Sequence, residues 1–183
     1  MSQEAFDSLY RARYRALVAK AYLVVGGRRD VAEDVAQQAF EQCWRRMNDP
    51  AGPPVEHWDR WLATVTVRIA LKQPRKLEVV FDPGQHDTAA NLLDLEVEVQ
   101  LKEVYRRVCE EMARLRQRPR RAMALSSIAG LSTAEVAQEM GLTQSTVRVY
   151  LAEARRALEP LRVELRQLGI VTEGEGERRG GQP

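Results

Sequence analysis

Gln144, Ser145, Thr146 and Arg148 stand within five residues of one another, and Tyr150, Arg155 and Arg156 follow them at helical spacing. Their chemistry is recognition of planar bases and of anions. A glutamine amide can pair bidentately with adenine and a guanidinium with guanine, while serine and threonine hydroxyls serve either. Arg155 and Arg156, further along, are placed to meet phosphates, which position a protein without reading sequence, or else to form a solvated basic face. Nothing comparable exists for bond-making: His57 and His86 stand alone, no glycine-rich phosphate loop occurs, and the acidic pairs fall at exposed helical positions. Cys43 and Cys109 have no Cys or His at ligand spacing and read as small core residues. The expectation is a non-enzyme with no catalytic residue, no metal and no cofactor.

A reading face needs a frame, and residues 131–158, LSTAEVAQEMGLTQSTVRVYLAEARRAL, supply one. Ser132 with Glu135 three residues on is a capping box, and Thr143 after Gly141 is a second N-cap. Two short helices therefore meet at one glycine. A helix-turn-helix requires a small residue where its helices cross, a residue tolerant of positive φ in the turn, and a branched apolar residue seating the second helix; Ala137, Gly141 and Val147 fill these places. Val136, Met140, Leu142 and Leu151 complete the apolar side. In this motif the N-terminal turns of the second helix enter the major groove.

The rest of the chain reads as further helices. Across residues 4–25, Phe6, Leu9, Tyr10, Leu17, Val18, Ala21 and Val25 recur at three- and four-residue spacing until Gly26-Gly27 stops the helix. Asp30 and Glu33 suggest a capping box opening a second helix, with Val31, Val35, Ala39, Phe40, Cys43, Trp44 and Met47 on its apolar stripe and its end near Asn48. A rigid turn at 50–54 precedes a third helix over 55–71, closed by Pro74. Residues 74–88 read as a linker. A long helix over 89–116 opens a second domain, Arg118-Pro119 starts another helix, and the glycine-rich tail at 170–183 is too polar to order itself.

Composition agrees with a helical protein: 183 residues, 44% hydrophobic, 30% charged and 6% aromatic. The net charge of +2 is unevenly placed, because residues 77–101 carry six acids and no Lys or Arg, leaving 28 bases against 20 acids elsewhere. The fold expected is all-α, two small helical domains joined by an acidic linker, with the flanking parts basic enough to meet nucleic acid. No apolar run reaches membrane-spanning length and the first residues are polar and acidic, so a cytoplasmic protein without a membrane contact is expected.

The stretch 115–158 resembles the promoter-reading C-terminal domain of bacterial sigma factors of the sigma-70 family, particularly the extracytoplasmic-function (ECF) type. Response regulators of the nitrate and quorum-sensing type carry a similar motif, and the N-terminal half separates the two. DVAEDVAQQAFEQCWRR, at 30–46, looks like the sigma segment that docks on the clamp helices of the polymerase largest subunit, and WLATVTVRIAL, at 61–71, looks like the helix facing the start-proximal promoter element. The resemblance implies a sigma domain two at 1–73 and a sigma domain four at 89–169. It implies polymerase binding through Asp34, Gln37, Gln38 and Glu41, and start-proximal DNA contacts through Trp58, Trp61, Arg68, Lys72 and Arg75. It implies upstream-element contacts through Gln144, Ser145, Thr146, Arg148, Tyr150, Arg155 and Arg156. The matching loop for capturing an unstacked base is 48–56, near Trp58 and Trp61, whose rings could stack on it. Core RNA polymerase, promoter DNA and an antisigma factor are the implied partners. Arg68 and Lys72 stand where the family usually has Asn and Asp, and Val149, Tyr150 and Glu153 where it often has Ser, Arg and Arg, so an unusual promoter or weaker upstream binding is expected. The other readings of the same residues are a stand-alone helix-turn-helix regulator and a degenerate sigma-like interaction protein.

Overall fold

The first helix, α1 (Gln3–Val25), ends where the sequence places two glycines: Gly26 at φ +74° and Gly27 at φ +82° take the left-handed region, and the Gly27 N–H donates to Tyr22 O at 3.0 Å. The structure, a computed structural model, describes residues 3–74 and 99–167. Among the described residues the regular elements are all helical. The linker beyond Pro74, Arg75 within it, most of the acidic run and the 170–183 tail lie outside them.

Helix α2 (Arg29–Met47) starts earlier than expected, and the Asp30–Glu33 capping box is not formed. Arg28 is the extended N-cap residue, its carbonyl already accepts the Ala32 N–H at 3.0 Å, and Glu33 is taken by Arg29 Nε at 2.7 Å. Asp30 lies inside the first turn, where its charge meets the positive end of the helix dipole. Asn48 closes the helix, donating to Trp44 O from both its backbone N–H (3.2 Å) and its side chain (2.8 Å). Helix α3 (Trp58–Lys72) begins three residues later than its period suggests, after an extended His57.

Helices α1, α2 and α3 pack on one another. Val18, Ala21 and Val24 of α1 meet Val35, Ala36, Ala39 and Cys43 of α2 and Leu62, Val67 and Ala70 of α3, all almost wholly buried. Burial on this scale is the main stabilising term, about 25 cal/mol per Å² of apolar surface removed from water. Both cysteines are buried free thiols, and burial pushes the Cys43 thiol up to about 11 and Cys109 higher still. Arg13 of α1 bridges to Asp59 of α3 at 2.6 Å.

Helix α4 (Val99–Arg114) leads to α5 (Gln117–Met123), which carries Pro119 in its first turn and runs into one π-helical turn at Ala124–Ile128. Then come α6 (Thr133–Met140) and α7 (Gln144–Gln167), with α4, α5 and α6 all packed against α7. The two units are in contact: α1 lies on α4, and α3 lies on the π-turn. Gly26 stands so near α4 that a Cβ on it would sit 3.1 Å from that of Ala113. The buried Arg120 of α5 reaches across to donate from Nη2 to Val24 O, in the last turn of α1, where carbonyls lack an intrahelical partner.

Candidate nucleic-acid interface

The turn between α6 and α7 is built as the sequence proposes. The Ser132 hydroxyl accepts the Glu135 N–H at 3.3 Å, while the Glu135 carboxylate accepts from the Ser132 N–H at 2.8 Å and from its hydroxyl at 2.7 Å, a complete capping box. Those bonds from Ser132, with Arg60 adding to them, hold the Glu135 carboxyl below the usual carboxylate range. Gly141, at φ +65°, ends α6 in a Schellman arrangement: its N–H donates to Gln138 O at 3.2 Å and that of Leu142 to Ala137 O at 2.9 Å. Thr143 then caps α7 by accepting the Thr146 N–H at 3.2 Å.

With Val147, Leu151 and Ala154 buried beneath, α7 turns Gln144, Ser145, Arg148, Arg155 and Arg156 to solvent. Arg148 leans on Gln144, Nη2 to Oε1 at 3.5 Å, and both keep donors free for a ligand. Thr146 is half-buried and bound into the cap, its hydroxyl 2.8 Å from that of Thr143. Tyr150 is half-buried too, packed on the core with its hydroxyl accepting from Arg118 Nη1 at 3.2 Å. Of the seven residues named for this face, five are therefore fully open, and Thr146 and Tyr150 are held partly inside.

On α3, Arg60, Arg68 and Lys72 are exposed on one face, at eight- and four-residue spacing. Both arginines are engaged by the other unit. Arg68 donates from Nε to Glu139 Oε1 at 2.8 Å and from Nη2 to Oε2, Arg121 stands 3.9 Å from the same carboxylate, and Arg60 pairs with Glu135. The sequence reading missed Arg60, although its place two turns before Arg68 was a signal. Trp58 and Trp61 meet edge to face, ring centroids 5.7 Å apart, and both are half-buried against the core. Beside them, loop 48–56 is held by the Ala51 N–H donating to Asp49 Oδ1 at 3.0 Å and by Arg46, 3.6 Å from Asp49 Oδ2.

Asp34, Gln37, Gln38 and Glu41 all lie exposed on the side of α2 away from the core, with Gln37 hydrogen-bonded to the Tyr14 phenol. At the edge of that side an aromatic cluster joins Phe6, Tyr10 and Tyr14 to Phe40 and Trp44. Among the described residues no helix is long and apolar enough to cross a membrane.

Residues 101–158 match the family model for sigma-70 region 4. The chain is 29% identical over 146 residues to the ECF RNA polymerase sigma factor SigL of Mycobacterium tuberculosis, in strains that include H37Rv and CDC 1551, covering 76% of this chain and 77% of that one. Among solved structures, CnrH in complex with the cytosolic domain of CnrY superposes with a TM-score of 0.53 at 23% identity, covering 89% of this chain and 90% of that one, a likeness of fold. With the helix-turn-helix formed bond by bond and a helical unit before it, the chain resembles sigma-70 family factors of the ECF type, in sequence through region 4 and SigL and in fold through CnrH.

Proposed function

We propose that the chain binds core RNA polymerase through Asp34, Gln37, Gln38 and Glu41 on α2 and reads two promoter elements, one with each unit. The observation that carries this reading is the exposed outer face of α7, where Gln144, Ser145 and Arg148 stand over a capped N-terminus and Arg155 and Arg156 follow. In the major groove the first three meet base edges and the last two meet phosphate. The unit at 1–73 holds the polymerase and the start-proximal element, through Arg68 and Lys72, with Arg75 next in sequence, and with the tryptophan pair beside the loop that receives an unstacked base. The unit at 89–169 takes the upstream element. The reaction chemistry belongs to the polymerase, so the chain works in the cytoplasm without a cofactor. An antisigma factor as regulatory partner follows from the family resemblance.

Arg60 and Arg68 are occupied by Glu135 and Glu139, so DNA reaches that face of α3 only when the units part.

The test is co-elution of the full chain with sigma-free core polymerase on a sizing column, comparing wild type with Asp34→Arg plus Gln38→Arg. Both positions are exposed, so the double variant keeps the fold, checked by its helical circular dichroism. Co-elution by wild type that the variant loses is the expected result. A folded wild type that does not co-elute would sink the polymerase-binding reading.

A further inference from the structure

Among the described residues, Val149 is the most exposed large apolar side chain, at 63% of its full surface. It shares the outward face of α7 with Ser145, Ala152 and Arg156, which recur at three- and four-residue spacing, and all four are exposed. Val147, Leu151 and Ala154 point the other way into the core. Tyr150, which sequence alone offered to DNA, is half-buried against the core, with its hydroxyl bonded to Arg118. On the part of α7 that would enter a groove, the outer face thus presents one isopropyl group and, a turn later, the methyl of Ala152, between hydrogen-bonding neighbours Ser145 and Arg156.

That arrangement costs the free protein something. A β-branched residue is a poorer helix former than most, and one left in water gains nothing from the core. On the edges of unmodified bases in the major groove the one apolar group is the C5-methyl of thymine. We propose that Val149, backed by Ala152, reads the methyl group of a thymine in the upstream element and so sets specificity there. The proposal rests on the reading that α7 enters the major groove. It assigns recognition at that base pair to shape and dehydration, while Gln144 and Arg148 read neighbouring pairs by hydrogen bonding.

The probe is deoxyuridine, which differs from thymidine only by that methyl. Holoenzyme assembled from the full chain and sigma-free core polymerase first selects promoters from a randomised duplex library. Each upstream thymine of the selected sequence is then replaced singly by deoxyuridine, and binding is measured for wild type and for Val149→Ala. Wild type is expected to weaken about fourfold at one thymine, the worth of one buried methyl group. Val149→Ala is expected to bind thymine and uracil alike at that position. Val149 is exposed and packs on nothing that α7 needs, so the variant folds. A wild type indifferent to deoxyuridine at every upstream position, or a Val149→Ala holoenzyme with the same penalty, overturns the proposal. Failure to select any upstream sequence overturns the groove reading itself, and that failure appears before any thymine has been changed.

Discussion

Glu135 serves two structures with one carboxylate. Its oxygens complete the capping box with Ser132 at the start of α6 and also receive Arg60 from the other unit. Its carboxyl is held below the usual carboxylate range, first by the Ser132 hydroxyl and N–H and then by Arg60, so the stability it contributes is present above the ordinary carboxylate pKa and is lost as pH falls through the depressed value. The melting temperature of wild type is therefore expected to fall more steeply below about pH 4.5 than that of Glu135→Gln, which keeps a capping-box acceptor and loses the titration. Parallel melting curves of the two proteins down the acid range would show that the charge contributes nothing. The Ser132–Glu135 pair was legible in sequence because a capping box is a local pattern. The pairing with Arg60 was not, because the two residues lie 75 apart in the chain and no spacing rule reaches that far.

At the scale of elements, the turn between α6 and α7 depends on a backbone conformation rather than on packing. Nothing stands within 4 Å of a Cβ built on Gly141, so the whole penalty of a side chain there comes from φ +65°. Gly141→Ala is expected to destabilise the protein by about 1 to 2 kcal/mol, and Gly141→Asn by less, since asparagine tolerates the left-handed region. Urea unfolding midpoints check both, and an alanine variant as stable as wild type would mean the turn takes another form. The residue types at 132, 137, 141, 143 and 147 were enough to draw this motif, since each answers a local demand of cap, crossing or turn. The entry to α2 was misread for a related reason: Asp30 and Glu33 have the spacing of a cap, but the Gly26-Gly27 turn delivers the chain into helix earlier, and a competing turn leaves no mark in the Asp–Glu pattern. The start of α3 was placed too early because Val55 continues the apolar period through residues that lie outside the helix, up to an extended His57. Tyr150 kept its face in the sequence reading, and only its packing against the core and its bond to Arg118 on another helix hold it half-buried.

At the scale of the molecule, the two units are joined by contacts of unequal strength. The pairs of Arg60 with Glu135 and Arg68 with Glu139 are partly exposed, and such bridges contribute about 0 to 1 kcal/mol each. The close approach of Gly26 to Ala113 and the burial of Met112, Leu115 and Arg120 carry more of the joint, because apolar surface and a buried hydrogen bond are not screened by salt. Glu139→Arg would set a third guanidinium beside Arg68 and Arg121, turning attraction into repulsion. The variant is expected to show a larger radius of gyration by small-angle scattering than wild type at low salt, with the difference shrinking as salt screens the charges. Equal radii at low salt would mean that the apolar joint alone holds the units together. Composition and charge announced two basic helical units, but not that they close on one another, since that depends on pairs of surface residues distant in the chain.

The bond from Arg120 to the carbonyl of Val24 spans 96 residues of chain. During synthesis, the end of α1 leaves the ribosome long before the residue that caps it has been made. Until then the Val24 carbonyl has only water, and the three-helix unit must hold α1 by its own contacts, chiefly apolar packing with the Arg13–Asp59 bridge beside it. The order of translation thus makes the first unit fold on its own terms and leaves the joint to be added last, so whatever grips the nascent N-terminal unit meets α3 with its arginines still uncovered.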